Sequence, residues 1–208
     1  MTTEFLDSSF IATLDTLPIQ MLTTGEGASG LLKCQTDTVA FTASGVTQAA
    51  STYRLCRIPT AAKIKQVIFD AGQGDTNATA ALTWDINLAF SDSTLDGTQV
   101  ALQSLIPTSA LTGATTTTAL YSSPNKIFGN VAQGNTAAIA RKDVTFNGTL
   151  TNWLYNGVNL PLWNFFGFTN SQGYAQDPGG IFDFLVYVAH LASTPAAGNL
   201  AITCYYVL

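Results

Sequence analysis

Two apolar runs stand at the C-terminal end of the chain, Ile181–His190 and Leu200–Leu208, and both alternate with period two. In the first, Phe182, Phe184, Val186 and Val188 share one face, and Asp183, Leu185 and Tyr187 the other. In the second, Leu200, Ile202, Cys204 and Tyr206 oppose Ala201, Thr203, Tyr205 and Val207. β-Branched and aromatic residues at this period specify strands. Apolar residues on both faces of each run call for a central position with cover on either side. The link Leu191–Asn199 carries Pro195 and Gly198-Asn199, so the two runs are expected to turn back and pair as a hairpin.

The rest of the chain repeats this grammar. Leu31–Phe41, Ala49–Arg57 and Ala62–Asp70 read as strands, with Pro59 breaking the ladder between the last two. Leu82–Phe90 alternates cleanly. Leu82, Trp84, Ile86, Leu88 and Phe90 face one way, and Thr83, Asp85, Asn87 and Ala89 face a wet or interface side. Val100–Leu105 fits a short strand or helix, Ala138–Phe146 an edge strand, and Leu150–Val158 a strand around Trp153. Leu162, Phe165 and Phe166 fit one helical turn, with Pro161 at its start and Gly167 at its end. Thr108–Thr118 is low-complexity Thr and Ala, read as a loop. Strands separated by turn residues, without a long helix, predict an all-β sandwich or barrel spanning 31–208.

Residues 1–30 differ. Leu6, Phe10, Leu14 and Leu17 recur at helical spacing, with Ser8 and Ser9 available as caps and Pro18 as terminator. An extended arm fits the same residues. Gly25–Gly30 is a linker. An apolar segment outside the domain must bury itself against its own domain or a neighbour, which makes these four side chains the candidate interaction residues.

Composition narrows the function. Only 10% of residues are charged, while a typical soluble domain has about 25%. The polar remainder is mostly Thr, Ser, Asn, Gln and Gly, neutral groups that bury against another protein far more cheaply than charges. Net charge is −5 and the pI about 4.5, which argues against a nucleic-acid partner. Four of the eight basic residues, Arg54, Arg57, Lys63 and Lys65, cluster on strand patterns and fit a solvated edge as well as a binding patch. Cys34, Cys56 and Cys204 have no metal spacing, and the alternation buries Cys204 as a free thiol. No positively charged leader and no apolar stretch of about 18 residues is present, so neither a secretory signal nor a membrane span is expected.

Catalytic chemistry finds little footing. The one histidine, His190, lies at a strand end, with no triad partner near it in sequence. Asp70, Asp75 and Asn77 hint at a calcium loop but lack the ligand density, and read better as a turn. Neither a zinc set nor a phosphate loop is present, and no cofactor is expected. Trp84, Trp153, Trp163, Phe165, Phe166, Tyr205 and Tyr206 fit a sandwich core better than a sugar platform.

The order of landmarks resembles the jelly-roll head-decoration (cement) proteins of tailed phages. The likeness rests on Arg57-Ile-Pro-Thr-Ala-Ala-Lys-Ile-Lys-Gln-Val67, Trp84-Asp-Ile-Asn-Leu88, Leu162-Trp-Asn-Phe-Phe-Gly-Phe168 ahead of Asp177-Pro178, and the closing Tyr-Tyr-Val. It runs over about 50–208; Thr108–Ala138 has no counterpart. The resemblance implies a jelly-roll sandwich without enzymatic activity, on the capsid surface, made in the bacterial host cytoplasm. It also implies the major capsid protein as partner, self-association as a trimer or similar symmetric cluster, and an N-terminal segment reaching to neighbours. A tail or vertex protein is a close variant. A carbohydrate- or receptor-binding sandwich is the competing reading, and a hydrolase on a β-scaffold fits least.

Overall fold

The computed structural model describes residues 5–7, 32–48, 51–91, 128–133, 138–147, 158–166, 172–177 and 179–208. Nine strands lie within them: β1 (Phe5–Asp7), β2 (Lys33–Phe41), β3 (Thr52–Pro59), β4 (Lys63–Ala71), β5 (Thr83–Ser91), β6 (Asn130–Ala132), β7 (Ile139–Asp143), β8 (Ile181–His190) and β9 (Gly198–Val207). One sheet runs β1-β3-β8-β5-β6 and the other β2-β9-β4-β7. Apart from the parallel β1–β3 pair, every pairing is antiparallel.

The pairings are nested. β2 pairs with β9, β3 with β8, β4 with β7 and β5 with β6. The chain is therefore one long antiparallel hairpin rolled into two layers, which is the jelly-roll order. The expected all-β sandwich is the observed architecture. No helix among the described residues is long and apolar enough to cross a membrane.

The expected hairpin between the two C-terminal runs does not form. β8 lies between β3 and β5, while β9 lies in the other sheet between β2 and β4. In a rolled hairpin the last strand must return to the first long one, so the link after His190 crosses between layers. Backbone bonds tie that link to the loop after β4: Thr76 N–H donates to Thr194 O at 2.9 Å and Ala196 N–H to Gly74 O at 2.9 Å. Alternation fixes a strand's two faces but not its partner.

Alternate residues of both sheets meet in the core. Phe182, Phe184, Val186 and Val188 of β8 sit beside Trp84, Ile86 and Leu88 of β5, facing Val39, Phe41, Leu200, Ile202, Ile64, Val67 and Phe69 from the other sheet. Trp84 anchors the cluster, with ring centroids 5.3 Å from Phe41 and 5.9 Å from Tyr53. A bulge shifts the β3 register between Leu55 and Arg57, so Leu55 and Ile58 both point inward although three positions apart. Cys56 occupies the bulge at φ 44°, a left-handed conformation unusual for a residue with a Cβ. Its N–H donates to Asp37 Oδ2 at 2.9 Å and its thiol to Ile202 O at 3.3 Å, tying the bulge to the facing sheet.

Helix α1 (Leu162–Phe165) starts at Pro161, as its sequence predicts, and hangs from the β3–β4 turn. Leu162 N–H donates to Ala62 O and Trp163 N–H to Thr60 O, both at 3.0 Å. Gly167, Val100–Leu105, Thr108–Thr118 and Leu150–Gly157 lie outside the described residues.

Because Trp84 is fully buried among packed rings, Trp84→Ala is expected to destabilise the fold by about 4 kcal/mol. Urea unfolding followed by circular dichroism measures it, and a loss under about 1 kcal/mol would contradict this packing.

Candidate functional site

The two outer sheet faces are unlike each other. On the β8 sheet, Thr52, Arg54, Asp85, Asn87, Asp183, Leu185 and Tyr187 point away from the sandwich core, yet all are buried. Arg54 and Arg57 converge on Asp183. Arg54 Nη2 donates to Oδ2 at 2.5 Å, Arg57 Nε to Oδ1 at 2.8 Å, and Arg57 Nη2 to Oδ2 at 3.1 Å. Arg57 grips the carboxylate as a fork and Arg54 adds a third bond, the compensation that a charge withdrawn from water requires. Burial, with the charge and hydrogen bond of Asp85, pushes the Tyr187 phenol far above its ordinary pKa.

Two open readings are narrowed here. Of the wet and interface alternatives for the Thr83–Asp85–Asn87 side of β5, the wet one is excluded, since all three residues are buried. The basic cluster is not one solvated edge. Arg54 and Arg57 are internal counter-ions to Asp183, a lone carboxylate set in an apolar strand, while Lys63 and Lys65 reach the surface.

The outer face of the β2-β9-β4-β7 sheet is open. Cys34, Thr36, Thr38 and Ala40 are exposed along β2, and Ala201, Thr203, Tyr205 and Val207 are half-buried along β9. Register places Thr36 opposite Thr203, Thr203 opposite Ile68, and Ile68 opposite Asp143. The Thr36 and Thr203 hydroxyls bond each other at 2.9 Å. This side of β2 and β9 presents no charge. The face's charges lie on β4 and β7, where Asp143 accepts from Gln66 Nε2 at 2.8 Å and Asp70 accepts from Arg141 N–H at 2.7 Å.

At one end of the sandwich a single carboxylate ties the β4–β5 loop to the link after β8. Asp75 is fully buried and accepts four backbone N–H groups: Ser193 at 2.8 Å, Thr194 at 2.9 Å, Asn77 at 3.0 Å and Ala81 at 3.1 Å. The Gln133 amide closes the knot, accepting from Gly74 and Asp75 N–H and donating to Asp75 O. Burial alone would raise the Asp75 pKa; the N–H donors outweigh it and hold the group down at about 2. A carboxylate ringed by N–H donors is set to hold backbone, not a cation, so the Asp70–Asp75–Asn77 loop is a structural clip. Only the Asp-x-Asn turn pattern signalled it in the sequence. Among the described residues no group of three or more His, Cys, Asp and Glu side chains is disposed to hold a metal.

Of the candidate interaction residues, Leu6 lies in β1, opposite Tyr53 of β3, and packs half-buried against the core. Phe10, Leu14 and Leu17 lie outside the described residues. His190 is exposed at the end of β8, in register with Thr83. Cys56 and Cys204 are buried and free, and burial pushes both thiols up; Cys34 is free and exposed. Trp84 belongs to the core and Trp163 packs half-buried against it, so neither offers an open sugar platform, and Trp153 lies outside the described residues.

No protein-family model and no curated protein matches the chain. Among solved structures it is similar to a chain of the cyanophage Pam1 capsid asymmetric unit, at 17% identity and TM-score 0.44, covering 93% of this chain and 96% of that one. It is also similar to a chain of the capsid of Ralstonia phage GP4, at 16% identity and TM-score 0.47, covering 97% and 96%. At these scores the likeness is one of general strand path and carries no functional weight.

The Asp75 clip predicts a pH dependence. Its pKa is lowered on folding, so its contribution is fully present above about 4 and is lost as pH falls towards about 2. Asp75→Asn is expected to cost at least about 1 kcal/mol at pH 7, with the gap to wild type closing near pH 2. Denaturant midpoints at the two pH values measure this; a gap that does not change with pH would refute the ionised clip.

Proposed function

We propose that this chain is a non-enzymatic structural protein of a phage virion, most specifically a capsid decoration protein that binds the mature head; a place on the tail or vertex is the close variant. The observation that carries the reading is the open face of the β2-β9-β4-β7 sheet. One sheet of the sandwich is dry on both sides, while the other offers a face whose β2 and β9 positions are Thr, Ala, Cys, Tyr and Val without a charge. Desolvating hydroxyls, small apolar groups and an aromatic costs far less than desolvating Lys or Glu. A solvated surface gains nothing from such a choice, whereas a surface covered in use does.

The proposed partners are the major capsid protein and further copies of this chain, as a trimer or another small ring. Residues 1–30 act as an arm that docks on the sandwich through β1, where Leu6 packs against the core, and Phe10, Leu14 and Leu17 are its proposed anchoring side chains towards neighbours. A decoration protein stabilises a lattice by binding the mature form and not its precursor, so the gain follows from mass action and grows with the number of simultaneous contacts. No bond is made or broken, and no cofactor is needed.

The test is co-sedimentation with expanded capsids assembled from the major capsid protein of the same genome. The full chain is expected to saturate the lattice. A chain lacking residues 1–24 should keep its β-sheet circular dichroism and bind at least about tenfold more weakly. No binding by the full chain would overturn the reading, and undiminished binding by the shortened chain would remove the arm from it.

A further inference from the structure

The two ends of the sandwich are unlike. At the end where β3 turns into β4, large apolar side chains stand in solvent. Leu32 precedes the Lys33–Tyr206 pair and Leu208 follows the Val207–Lys63 pair, and they are 61% and 40% exposed. Phe146, 52% exposed, follows Thr145, whose hydroxyl accepts from Val67 N–H on the other margin of β4. Tyr174, also exposed, precedes Asp177, which accepts from Thr60 Oγ1 in the β3–β4 turn. Trp163 and Phe165 of α1 add half-buried apolar surface. The opposite end, closed by Asp75 and Gln133, exposes Leu191 as its large apolar side chain among the described residues.

Charge divides the same way. Lys33, Lys63 and Lys65 lie at the β3–β4 end. Lys65 Nζ donates to Val158 O at 2.6 Å, a neutral acceptor that leaves its charge uncompensated. Among the described residues the carboxylate at this end outside the buried cluster is Asp177, which already accepts from Thr60 and from Gly179 N–H. Arg141 and Lys142 lie further along β7, level with Phe69 and Asp70, and share that stretch with Asp70 and Asp143. The β3–β4 end is thus apolar and cationic on a chain of net charge −5.

The complementary segment lies in the same chain. Residues 1–32 hold Glu4, Asp7, Asp15 and Glu26 and not one Lys, Arg or His, and Leu14, Leu17, Ile19, Met21 and Leu22 make their middle apolar. β1 runs parallel to β3 and so heads towards this end, and β2 departs from it after Leu32. Residues 8–31 are thereby delivered beside Leu32 and Leu208. Fully extended, they can carry their middle about 25 Å beyond the end, far enough to reach an adjoining copy. Leu32, Phe146 and Leu208 nevertheless stand exposed in the single chain, although its own arm starts and ends beside them.

From this complementarity we infer that the lysine-bearing apolar end of the sandwich, at Leu32, Phe146 and Leu208, receives residues 14–22 of a second copy's arm. The inference rests on the structural-protein reading above and names the surface on which the arm acts between copies. Because one end both sends an arm and receives one, the contact is heterologous and closes into a small ring when the rotation between copies does. Apolar burial supplies the attraction, and opposite charge sets the orientation.

Sedimentation equilibrium of the full chain at about 100 µM is expected to show a small closed oligomer. Phe146→Asp with Leu208→Asp at the receiving end, or Leu14→Asp with Leu17→Asp on the arm, should each raise the dissociation constant at least about tenfold with unchanged circular dichroism. Lys63→Glu, which leaves the apolar side chains in place, should weaken association as well, and Leu191→Asp at the opposite end should not. Mixing the two double variants restores one arm-to-end contact and should give a one-to-one heterodimer, which an arm folded back on its own chain cannot do. A monomeric wild type, receiving-end variants that associate as well as wild type, or a mixture that stays monomeric overturns the inference. Receiving-end variants that keep self-association but lose co-sedimentation with capsids also overturn it, and assign this end to the lattice. A full chain that forms the ring without binding expanded capsids sinks the proposed decoration role and leaves this contact standing; one that binds capsids as a monomer does the reverse.

Discussion

Nearly everything in this molecule depends on β8 being dry on both faces. Its inner side carries Phe182, Phe184, Val186 and Val188 into the core, and its outer side places Asp183, Leu185 and Tyr187 where water does not reach. A buried carboxylate cannot stand alone. Arg54 and Arg57 of the neighbouring strand supply both charge and hydrogen bonds to Asp183. That requirement ties β3 to β8 in one register, because a one-residue slip would carry the guanidinium groups to the opposite face. The bulge at Cys56 is part of the same arrangement. It lets Arg54 and Arg57, three positions apart, reach one carboxylate while Leu55 and Ile58 still face the core.

The nested pairing then distributes the burden between the sheets. The β8 sheet is closed on both sides and holds the charged cluster inside. The β9 sheet keeps one side open and carries almost no charge on its two strands nearest the β2 edge. The inner face of β2 carries Asp37, buried and satisfied by the Cys56 N–H. An inward carboxylate also makes that long edge a poor template for indiscriminate strand addition. Association through the flat of the sheet is therefore better prepared than association through its edge. This division of labour is what connects the fold to a role in an assembly.

At the end of the sandwich, Asp75 and Gln133 do for the loops what Asp183 does for the strands. The link after β8 crosses between layers without secondary structure of its own, and its N–H groups at Ser193 and Thr194 need acceptors. One carboxylate serves both, together with Asn77 and Ala81. The crossing that the rolled hairpin demands is stabilised by a side chain whose sequence setting reads as that of a turn residue.

Strand identity and facing were legible in the chain itself. Alternation placed Trp84, Ile86, Leu88, Phe182 and Phe184 on inner faces, Pro59 marked the end of β3, and Pro161 marked the start of α1, because these follow from local sterics and from the two-residue repeat of a pleated strand. Partnership was not legible. Nothing local distinguishes a β8–β9 hairpin from a β2–β9 and β3–β8 nesting, since Pro and Gly-Asn serve a crossing between layers as well as a tight turn. Burial of the polar faces was equally hidden. Periodicity left Thr83, Asp85 and Asn87 on a wet or interface face and Arg54 on an edge or a binding patch, until the tertiary structure buried all four, Asp85 opposite Tyr187 and Arg54 on Asp183. Short-range periodicity determines which residues share a face, and only long-range packing decides what that face meets.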